Sequence, residues 1–354
     1  MAKIGVLGCG TIGMSLARML YNSGHDVLVW SAVESEIEEC STTHKHHNLP
    51  GMEIPEGIRY TLDISEACKD KDVIMCAIPS VFIRQTIAKA RDYIPDGQII
   101  ADVGKGIEKD TLFTMSQIIS DELNKDGNHK NVKVVALSGP THAEEIALDM
   151  PTTIVSACED MKAAEIVQDV FTNTCMRVYT NADVLGVELC GALKNVIALS
   201  CGVAVGIGCG DNAKAALITR GMAEITRLGL KMGCMEQTFS GLAGIGDLIV
   251  TATSMHSRNN RCGILIGQGV PVDEAVKEIG QVVEGLNALP AALELAEKYE
   301  VEMPIVQALD LIVNKGVDPV DMVEMLMSRE KKSEIANDVM ERFFESRKAA
   351  RKRN

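Results

Sequence analysis

The first thirty residues constrain the fold more tightly than any other stretch of the chain. An apolar strand pattern over Lys3–Leu7 leads directly into the glycine turn GCGTIG (Gly8–Gly13), a helical pattern continues to Leu20, and a second strand pattern covers Asp26–Trp30. GxGxxG spacing between a strand and a helix is typical of α/β domains that bind dinucleotides. The sequence therefore predicts a Rossmann-like N-terminal domain with a mostly parallel sheet.

The three glycines of this turn have separate roles in such a domain. Gly8 allows the tight turn, Gly10 lets the backbone approach a pyrophosphate, and Gly13 lets the helix pack closely on the strand. The phosphates are then expected at the helix N-terminus, where free N–H groups and the helix dipole favour anions. We therefore predict NAD or NADP as the cofactor.

The residues after the second strand leave the choice between NAD and NADP open. Trp30 is followed by Ser31, Ala32 and Val33, and the first acidic residue is Glu34. The acidic residue that usually binds the ribose hydroxyls of NAD is missing there, and so is an arginine that would accept the 2′-phosphate of NADP.

Length, charge and cysteine content limit the class of protein. The 354 residues exceed one ordinary domain, so we expect two. The formal net charge of −14 argues against general binding of nucleic acid or an anionic membrane, and an anionic substrate would need a local cluster of positive side chains. Eleven cysteines without a CxxC pair fit a reducing cytoplasm.

The most apolar run, Val196–Gly210, is shorter than the roughly 20 residues that a membrane span needs. It is also rich in glycine, so we interpret it as a buried helix and its continuation, and we expect no membrane insertion.

Further strand patterns follow the first two and alternate with helical patterns, over residues 73–78, 99–103, 133–137, 152–156 and 176–179. In open α/β sheets the ligand lies beyond the carboxyl ends of the strands. Lys105, in the turn Gly104-Lys105-Gly106, follows one of these strands and is a candidate contact for an anion or a carbonyl group. An ordinary loop lysine is the alternative.

Strand patterns end near residue 180, and helical patterns with glycine turns occupy the rest of the chain. We predict a dinucleotide-binding domain over residues 1–185 and an all-α substrate-binding domain over residues 186–345. Residues 346–354 form a basic tail that we expect to be disordered.

Lys194 lies within a stretch of small and apolar residues, Gly186–Gly221. An ammonium group in such surroundings is costly unless it is paired or used, because burial disfavours the charged form. A lysine at a helix end whose side chain reaches the solvent is the alternative, and periodicity alone does not decide between the two.

Two segments of the second half of the chain are candidates for an anion-binding site. A glycine run leads to Asp247 and Thr251, and the segment SRNNR (Ser257–Arg261) places two arginines around two asparagines. The planar guanidinium group of arginine suits phosphate because it can bind two oxygens. Taken alone, SRNNR could equally begin a solvated helix.

His44, His46 and His47 form a cluster that could bind zinc. Neighbouring side chains of one loop rarely converge on an ion, and no cysteine or acidic residue is suitably spaced. We therefore interpret the segment as a solvated loop and predict no metal site.

Ten motifs together point to one family. In chain order they are GCGTIG, NLPG, the Gly104-Lys105-Gly106 turn, SGPTHAEE, GVELCGALKNVIA, GDNAKAALITRG, GLAGIGDLIVTATS, SRNNR, GQVVEG and VEMPI. With these motifs the chain resembles the NAD(P)-dependent glycerol-3-phosphate dehydrogenases of the soluble, bacterial-like type, from about residue 3 to residue 330.

The resemblance implies an oxidoreductase that interconverts sn-glycerol 3-phosphate and dihydroxyacetone phosphate by hydride transfer with NAD(P). Such an enzyme supplies glycerol 3-phosphate for phospholipid synthesis in the cytoplasm, and the family suggests a homodimer. The catalytic group implied for this chain is Lys194, Lys105 and Asp247, with Lys194 as proton donor and acceptor.

The resemblance also implies the remaining contacts. Those to the phosphate ester substrate come from Lys105, Gly139, Thr141, Lys194, Asp247, Ser257, Arg258 and Asn259, with Arg258 and Asn259 on the phosphate. Those to the cofactor, besides the three glycines, come from Thr11, Ile12, Lys105, Ala143, Arg258, Val282 and Glu284. A lysine acid/base also needs a lowered pKa, which burial near other cations provides.

The chain departs from the family pattern at two places. Ile12 stands where the family often has Trp, and Ser31 and Ala32 stand where a basic residue is common. The second departure bears on the adenosine 2′ position and hence on the choice of cofactor.

Two other functions remain as alternatives. A relative of the β-hydroxyacid and 6-phosphogluconate dehydrogenases would also pair a Rossmann domain with a helical domain, but the SRNNR and GIGDL segments argue against it. A non-catalytic NAD(P)-sensing protein would bind cofactor without turnover. The intact set of Lys105, Lys194, Asp247 and Arg258 argues against that function.

Overall fold

The predicted βαβ unit opens the computed structural model, which describes residues 1–331, 333–334 and 337–351. Strand β1 (Lys3–Leu7), helix α1 (Thr11–Asn22) and strand β2 (Asp26–Trp30) follow one another, and both strands have the predicted bounds. The two strands are parallel, with Lys3 opposite Asp26. Gly8 has a φ of +117°, and a Cβ on it would lie 2.4 Å from the Ala77 carbonyl oxygen, so only glycine fits this turn.

One sheet contains all the strands that the described residues form. The remaining strands are β3 (Arg59–Thr61), β4 (Val73–Cys76), β5 (Ile99–Asp102), β6 (Lys133–Ser138), β7 (Thr152–Ala157) and β8 (Met176–Asn181). Their order is β3-β2-β1-β4-β5-β6-β7-β8, and every neighbouring pair is parallel except β6 and β7. The predicted mostly parallel sheet is therefore confirmed.

Helices cover the sheet and continue the chain beyond it. Those of the N-terminal half are α2 (Glu34–Thr43), α3 (Ile64–Cys68), α4 (Ile83–Ala90), α5 (Met115–Asn124), α6 (Ala143–Ile146) and α7 (Met161–Val170). Those of the C-terminal half are α8 (Val184–Gly206), α9 (Asp211–Lys231), α10 (Glu236–Phe239), α11 (Asp247–Thr253), α12 (Arg258–Gly267), α13 (Val272–Ile279), α14 (Glu284–Lys298), α15 (Pro304–Lys315), α16 (Pro319–Met327) and α17 (Asn337–Arg351). A helical C-terminal half therefore follows the Rossmann-like half, as predicted.

Four elements of the N-terminal half, β3, α2, α3 and α5, lack a specific counterpart in the sequence-based prediction. Strand β3 has three residues and pairs only with β2 at the sheet edge, so it is too short to show an alternating pattern. Helix α5 begins at a capping box formed by Thr114 and Gln117, a signal that could have revealed it.

Helix α8 is the central element of the C-terminal half. Although it is long and apolar enough to cross a membrane, 89 % of its most apolar stretch is buried inside the protein, which is typical of a core helix. The predicted buried helix is thus present, but it begins at Val184, well before Val196, and ends at Gly206.

Helices α8 and α12 cross at a contact made by paired glycines. A Cβ on Gly202 would lie 2.2 Å from the Asn260 carbonyl oxygen, and one on Gly263 would lie 2.2 Å from the Leu199 carbonyl oxygen. One turn further along, Gly206 and Gly267 meet carbonyl oxygens at 2.3 Å in the same way. The backbones therefore touch, which fixes the separation of the residues that the two helices carry.

Helix α8 begins two residues before the predicted domain boundary, and the division into residues 1–185 and 186–345 remains a prediction. The expected disorder of residues 346–354 is corrected in part. Residues 346–351 belong to α17, and residues 352–354 lie outside the described residues. Alanine, lysine and arginine, which dominate this segment, are strong helix formers.

Replacing Gly263 by alanine should lower the melting temperature of the protein. The added methyl group has no space between α8 and α12, and overpacking of this kind costs about 1–3 kcal/mol, or roughly 3–10 °C for a domain of this size. Thermal unfolding followed by circular dichroism measures the shift. Gly210→Ala is the matched control, because a Cβ there meets no atom within 4 Å and its φ of −82° suits alanine. Equal shifts in both variants would contradict the close crossing.

Candidate active site

A cavity of about 670 Å³ lies at the carboxyl ends of the strands, facing the helical half of the chain. The sheet contributes residues that follow β1, β2, β4, β5 and β6 to its wall, and α8, α11 and α12 close it from the other side. Such a position is where open α/β sheets bind their ligands.

Lys194 occupies the buried end of this cavity. Its side chain projects from the middle of α8, is 6 % exposed, and forms an ion pair with the Oδ1 atom of Asp247. Its Nζ also donates to Thr251 Oγ1 at 2.8 Å. The reading of Lys194 as a lysine that reaches the solvent is therefore wrong.

Lys105 approaches the same carboxylate from the sheet side. Its Nζ lies 2.7 Å from Asp247 Oδ2, 3.1 Å from the Gly139 carbonyl oxygen and 3.4 Å from Thr141 Oγ1. Asp247, at the start of α11, is 1 % exposed and thus bridges the two ammonium groups.

Burial and charge shift the pKa values of this group in opposite directions. Burial is the main cause that lowers the pKa of Lys194 to about 7; Asp247 opposes this shift, and the charge of Lys105 supports it. For Asp247, burial alone would raise the pKa, but the two lysines together hold it below its usual value. The carboxylate therefore stays ionised while Lys194 titrates near neutral pH.

The SRNNR segment begins α12 and is more buried than a solvated helix start would be. Ser257 caps the helix by accepting a hydrogen bond from the Asn260 amide at 3.2 Å. Arg258 lines the cavity and donates to Gln281 Oε1 at 3.3 Å. Asn259 also lines it, yet its amide group donates to Asn195 Oδ1 and accepts from the Gly285 amide, so it ties α12 to α8 and α14 as well.

The opposite end of the cavity fits a dinucleotide pyrophosphate. Gly10 is the N-cap residue of α1, and a Cβ on it would meet no atom within 4 Å, so the space above the helix N-terminus is open. The first turn of α1 contains no acidic residue. Free amide groups and the helix dipole suit a phosphate there.

Ser80 and Glu284 connect the two halves of the chain beside this cavity. Ser80 Oγ, after β4, donates to Glu284 Oε2 at 2.6 Å, and its amide lies 3.3 Å from Oε1. Glu284 begins α14, and Val282 stands two residues before it. The two halves are thus joined where a cofactor would lie between them.

Most of the predicted site residues line this one cavity. They are Gly8, Gly10, Thr11, Ile12, Lys105, Thr141, Ala143, Lys194, Ser257, Arg258, Asn259, Val282 and Glu284. Gly13, Gly139 and Asp247 are not part of its wall. Gly13 packs against the Gly8 carbonyl. Outside the wall, the Gly139 carbonyl accepts a hydrogen bond from Lys105, and Asp247 forms ion pairs with both lysines.

Sequence reasoning missed several polar residues in and around this site, among them Asn195 and His142 in the cavity wall and the buried Asp102 outside it. Asn195 follows Lys194 on α8, and His142 lines the cavity near Lys194, where burial lowers its pKa. Asp102, at the end of β5, accepts a hydrogen bond from the Gly104 amide at 3.2 Å, and burial raises its pKa to about 7. A carboxylate closing a buried strand was the available signal for Asp102.

The histidine cluster is only partly a solvated loop. His46 is 5 % exposed and lines the cavity, contrary to the prediction, while His47 is exposed and pairs with Glu39. The loop folds back onto the glycine turn, which the local sequence does not reveal. Within the described residues, no group of three or more His, Cys, Asp or Glu is arranged to hold a metal ion.

Comparison with known proteins gives the family. Residues 3–176 match the family model described as NAD-dependent glycerol-3-phosphate dehydrogenase N-terminus, and residues 183–324 match the corresponding C-terminus model. The chain is 66 % identical over 335 residues to glycerol-3-phosphate dehydrogenase [NAD(P)+] 2 of Lactobacillus delbrueckii subsp. bulgaricus, covering 95 % of this chain and 99 % of the relative.

Two further relatives agree with this match. The glycerol-3-phosphate dehydrogenase [NAD(P)+] of Bacillus subtilis is 46 % identical over 336 residues, which cover 95 % of this chain and 96 % of the relative. The crystal structure of glycerol-3-phosphate dehydrogenase from Coxiella burnetii superposes with a TM-score of 0.87 at 33 % identity, covering 93 % of this chain and 99 % of that one. The resemblance carried by the ten motifs is thus confirmed, and the chain belongs to the family of NAD-dependent glycerol-3-phosphate dehydrogenases.

Proposed function

We propose that this protein interconverts sn-glycerol 3-phosphate and dihydroxyacetone phosphate with NAD(H) or NADP(H), and that Lys194 moves the proton. The observation that carries the proposal is a buried lysine, paired with Asp247, in the wall of a cavity that fits a dinucleotide at its other end. The nicotinamide would supply or accept the hydride.

The hydrogen bonds favour Lys194 over Lys105 as the group that transfers the proton. An ammonium group has three donors. Within the described part of the chain, Lys105 Nζ has an acceptor for each of them, in Asp247, Gly139 and Thr141. Among the same described residues, Lys194 Nζ has two acceptors, Asp247 and Thr251, so one N–H is left for a substrate oxygen.

Proton transfer in either direction follows from this arrangement. In reduction, the Lys194 ammonium group donates its third proton to the ketone oxygen as the carbon is reduced, and in oxidation the neutral amine takes the hydroxyl proton. Asp247 keeps the amine oriented without taking the proton, because its own pKa stays low. Lys105 holds the other carboxylate oxygen and adds positive charge where the alkoxide would develop.

Arg258 is the residue that we assign to the substrate phosphate. It stands on α12, whose glycine contact with α8 fixes its separation from Lys194. A half-buried guanidinium group in a cavity wall binds phosphate more strongly than one on the open surface, because solvent screens it less. Local positive charge of this kind reconciles an anionic substrate with a net charge of −14.

We also propose that the enzyme works in the cytoplasm as a homodimer and supplies glycerol 3-phosphate for phospholipid synthesis. All eleven cysteines are free thiols, which supports a reducing compartment. The dimer rests on the family resemblance alone, and a monomeric mass in light scattering at micromolar concentration would refute it.

Substrate selectivity tests the assigned reaction. The wild-type enzyme should oxidise NADH or NADPH with dihydroxyacetone phosphate and use dihydroxyacetone, which lacks the phosphate, at least about 100-fold less efficiently.

In Arg258→Met, kcat/KM for the phosphate ester should fall about 10- to 100-fold, because a charge-assisted hydrogen bond is lost. The exposed Arg220 on α9 provides the control Arg220→Met. Activity on a hydroxyacid but not on the triose phosphate would overturn the assignment.

Replacing Lys194 by methionine should abolish turnover while the protein stays folded. General acid–base catalysis contributes about 10²- to 10⁴-fold, so kcat should fall by at least that much. Nucleotide binding, followed by NADH fluorescence, should persist because the pyrophosphate end is untouched. Lys231→Met, at the exposed end of α9, is the matched control. A Lys194→Met variant within tenfold of wild-type kcat would eliminate Lys194 as the proton donor.

The pH dependence should differ between the two directions of the reaction. Reduction needs the charged form of Lys194, so its kcat/KM should fall about tenfold per pH unit above the pKa of about 7. Oxidation needs the neutral form, and its kcat/KM should fall below that pH. Lys105→Met removes a charge that lowers the pKa of Lys194, so the alkaline limb of the residual reduction should move to higher pH. A reduction profile that stays flat from pH 6.5 to 9 would contradict this role.

A further inference from the structure

The carboxyl end of β2 holds a carboxylate that the strand sequence does not reveal. Glu36, in the first turn of α2, accepts a hydrogen bond from the hydroxyl group of Ser31, with 2.6 Å between Oγ and Oε2. Ser31 Oγ in turn accepts from the Val33 amide at 3.1 Å. Both Ser31 and Glu36 line the same cavity as Gly8 and Gly10.

In a dinucleotide-binding βαβ unit, the end of the second strand faces the adenosine ribose. An acidic residue there accepts hydrogen bonds from the ribose hydroxyls of NAD, and an arginine there accommodates the 2′-phosphate of NADP. The acid normally follows the strand directly, whereas here the turn at Ser31–Val33 returns Glu36 to that place.

We propose that Glu36, held by Ser31, is the residue that recognises the adenosine ribose and makes this enzyme prefer NAD(H) over NADP(H). This inference rests on the proposed function, because it assumes that the cavity binds a nicotinamide dinucleotide. It assigns a cofactor preference that the names of the relatives, which read NAD(P)+, leave open.

The charges of α2 oppose a phosphate group at this position. Four of its ten residues are acidic, Glu34, Glu36, Glu38 and Glu39, and none is basic. The N-terminus of a helix would by itself attract a phosphate, but Glu34 and Glu36 occupy its first turn and offset the dipole. A 2′-phosphate, with about two negative charges at pH 7, would therefore be repelled.

The histidines near Glu36 do not supply a compensating cation. His46 is buried, and its Nδ1 accepts a hydrogen bond from the Asn48 amide at 3.2 Å, which requires the neutral ring at that nitrogen. Burial lowers the pKa of His46, in agreement with a neutral imidazole. His47 is directed to the carboxylate of Glu39, with 2.7 Å between Nδ1 and Oε2.

Within the part of the chain that the structure describes, the other cations of the cavity wall have side-chain partners of their own, with the exception of Lys89. Lys105 and Lys194 bind Asp247, and Arg258 contacts Gln281. Lys89 on α4 is exposed and also lines the cavity, so it is the residue that could favour a 2′-phosphate and has to be tested.

Binding of ADP-ribose and 2′-phospho-ADP-ribose to the full-length protein tests the proposal without catalysis. Isothermal titration calorimetry of the wild type should give a Kd for ADP-ribose at least about tenfold lower than for the 2′-phosphorylated ligand. Glu36→Gln keeps an oxygen that accepts from Ser31 but removes the charge, and should reduce this ratio to about threefold or less. Glu38→Gln removes the same charge from an exposed site on the same helix and should leave the ratio unchanged.

The results that would overturn the proposal are distinct. Equal affinity of the wild type for both ligands, or the same change in Glu36→Gln and Glu38→Gln, would remove Glu36 as the determinant. The proposal would also be overturned if the Lys89→Met variant selectively lost binding of the 2′-phosphorylated ligand, because Lys89 would then be the residue that binds the 2′-phosphate. If neither ligand bound, the dinucleotide site and with it the proposed function would fail, which separates that outcome from a mere lack of preference.

Discussion

The carboxylate of Asp247 between two lysines is the interaction on which the rest of the site depends. Each of its oxygens binds one ammonium group, and the three residues come from α8, α11 and the turn after β5. Loss of one partner from such a buried ion pair costs about 3–5 kcal/mol, so the arrangement is strongly maintained. Burial keeps the pKa of Lys194 low despite the carboxylate, and the charge of the second lysine contributes to the same shift.

The close glycine contact between α8 and α12 fixes how far apart these two helices hold the residues of the site. Large side chains at Gly202 and Gly263 would separate the two helices and move Arg258 away from Lys194. Ser80 and Glu284 join the two halves of the chain at the same cavity, where hydride transfer would require two ligands to meet. Packing and hydrogen bonding thus fix the distances between the residues of the site, which the ion pairs alone would not fix.

Much of the fold could be predicted because its signals are local. The strand bounds of β1 and β2, the mostly parallel sheet and the change to helices after β8 follow from periodicity and from the glycine turn. Strand β3 was missed because three residues at a sheet edge carry no alternation, and His46 was placed in solvent because burial of a loop depends on what it folds against. The residues of the site were identified by family motifs, since their spacing along the chain says little about which of them meet.

The sequence by itself determined the Rossmann-like half and the position of its ligand cavity at the carboxyl ends of the strands. It also determined that a lysine, whose charge burial disfavours, lies in an apolar helix. Only the tertiary structure decided what that lysine contacts, because Asp247 and Lys105 lie far from it in the chain and approach it through the packing of helices on the sheet. The same holds for Glu36, whose carboxylate reaches the end of β2 through the turn that begins α2. Charge interactions act over a few ångströms in space, and a one-dimensional pattern does not contain those distances.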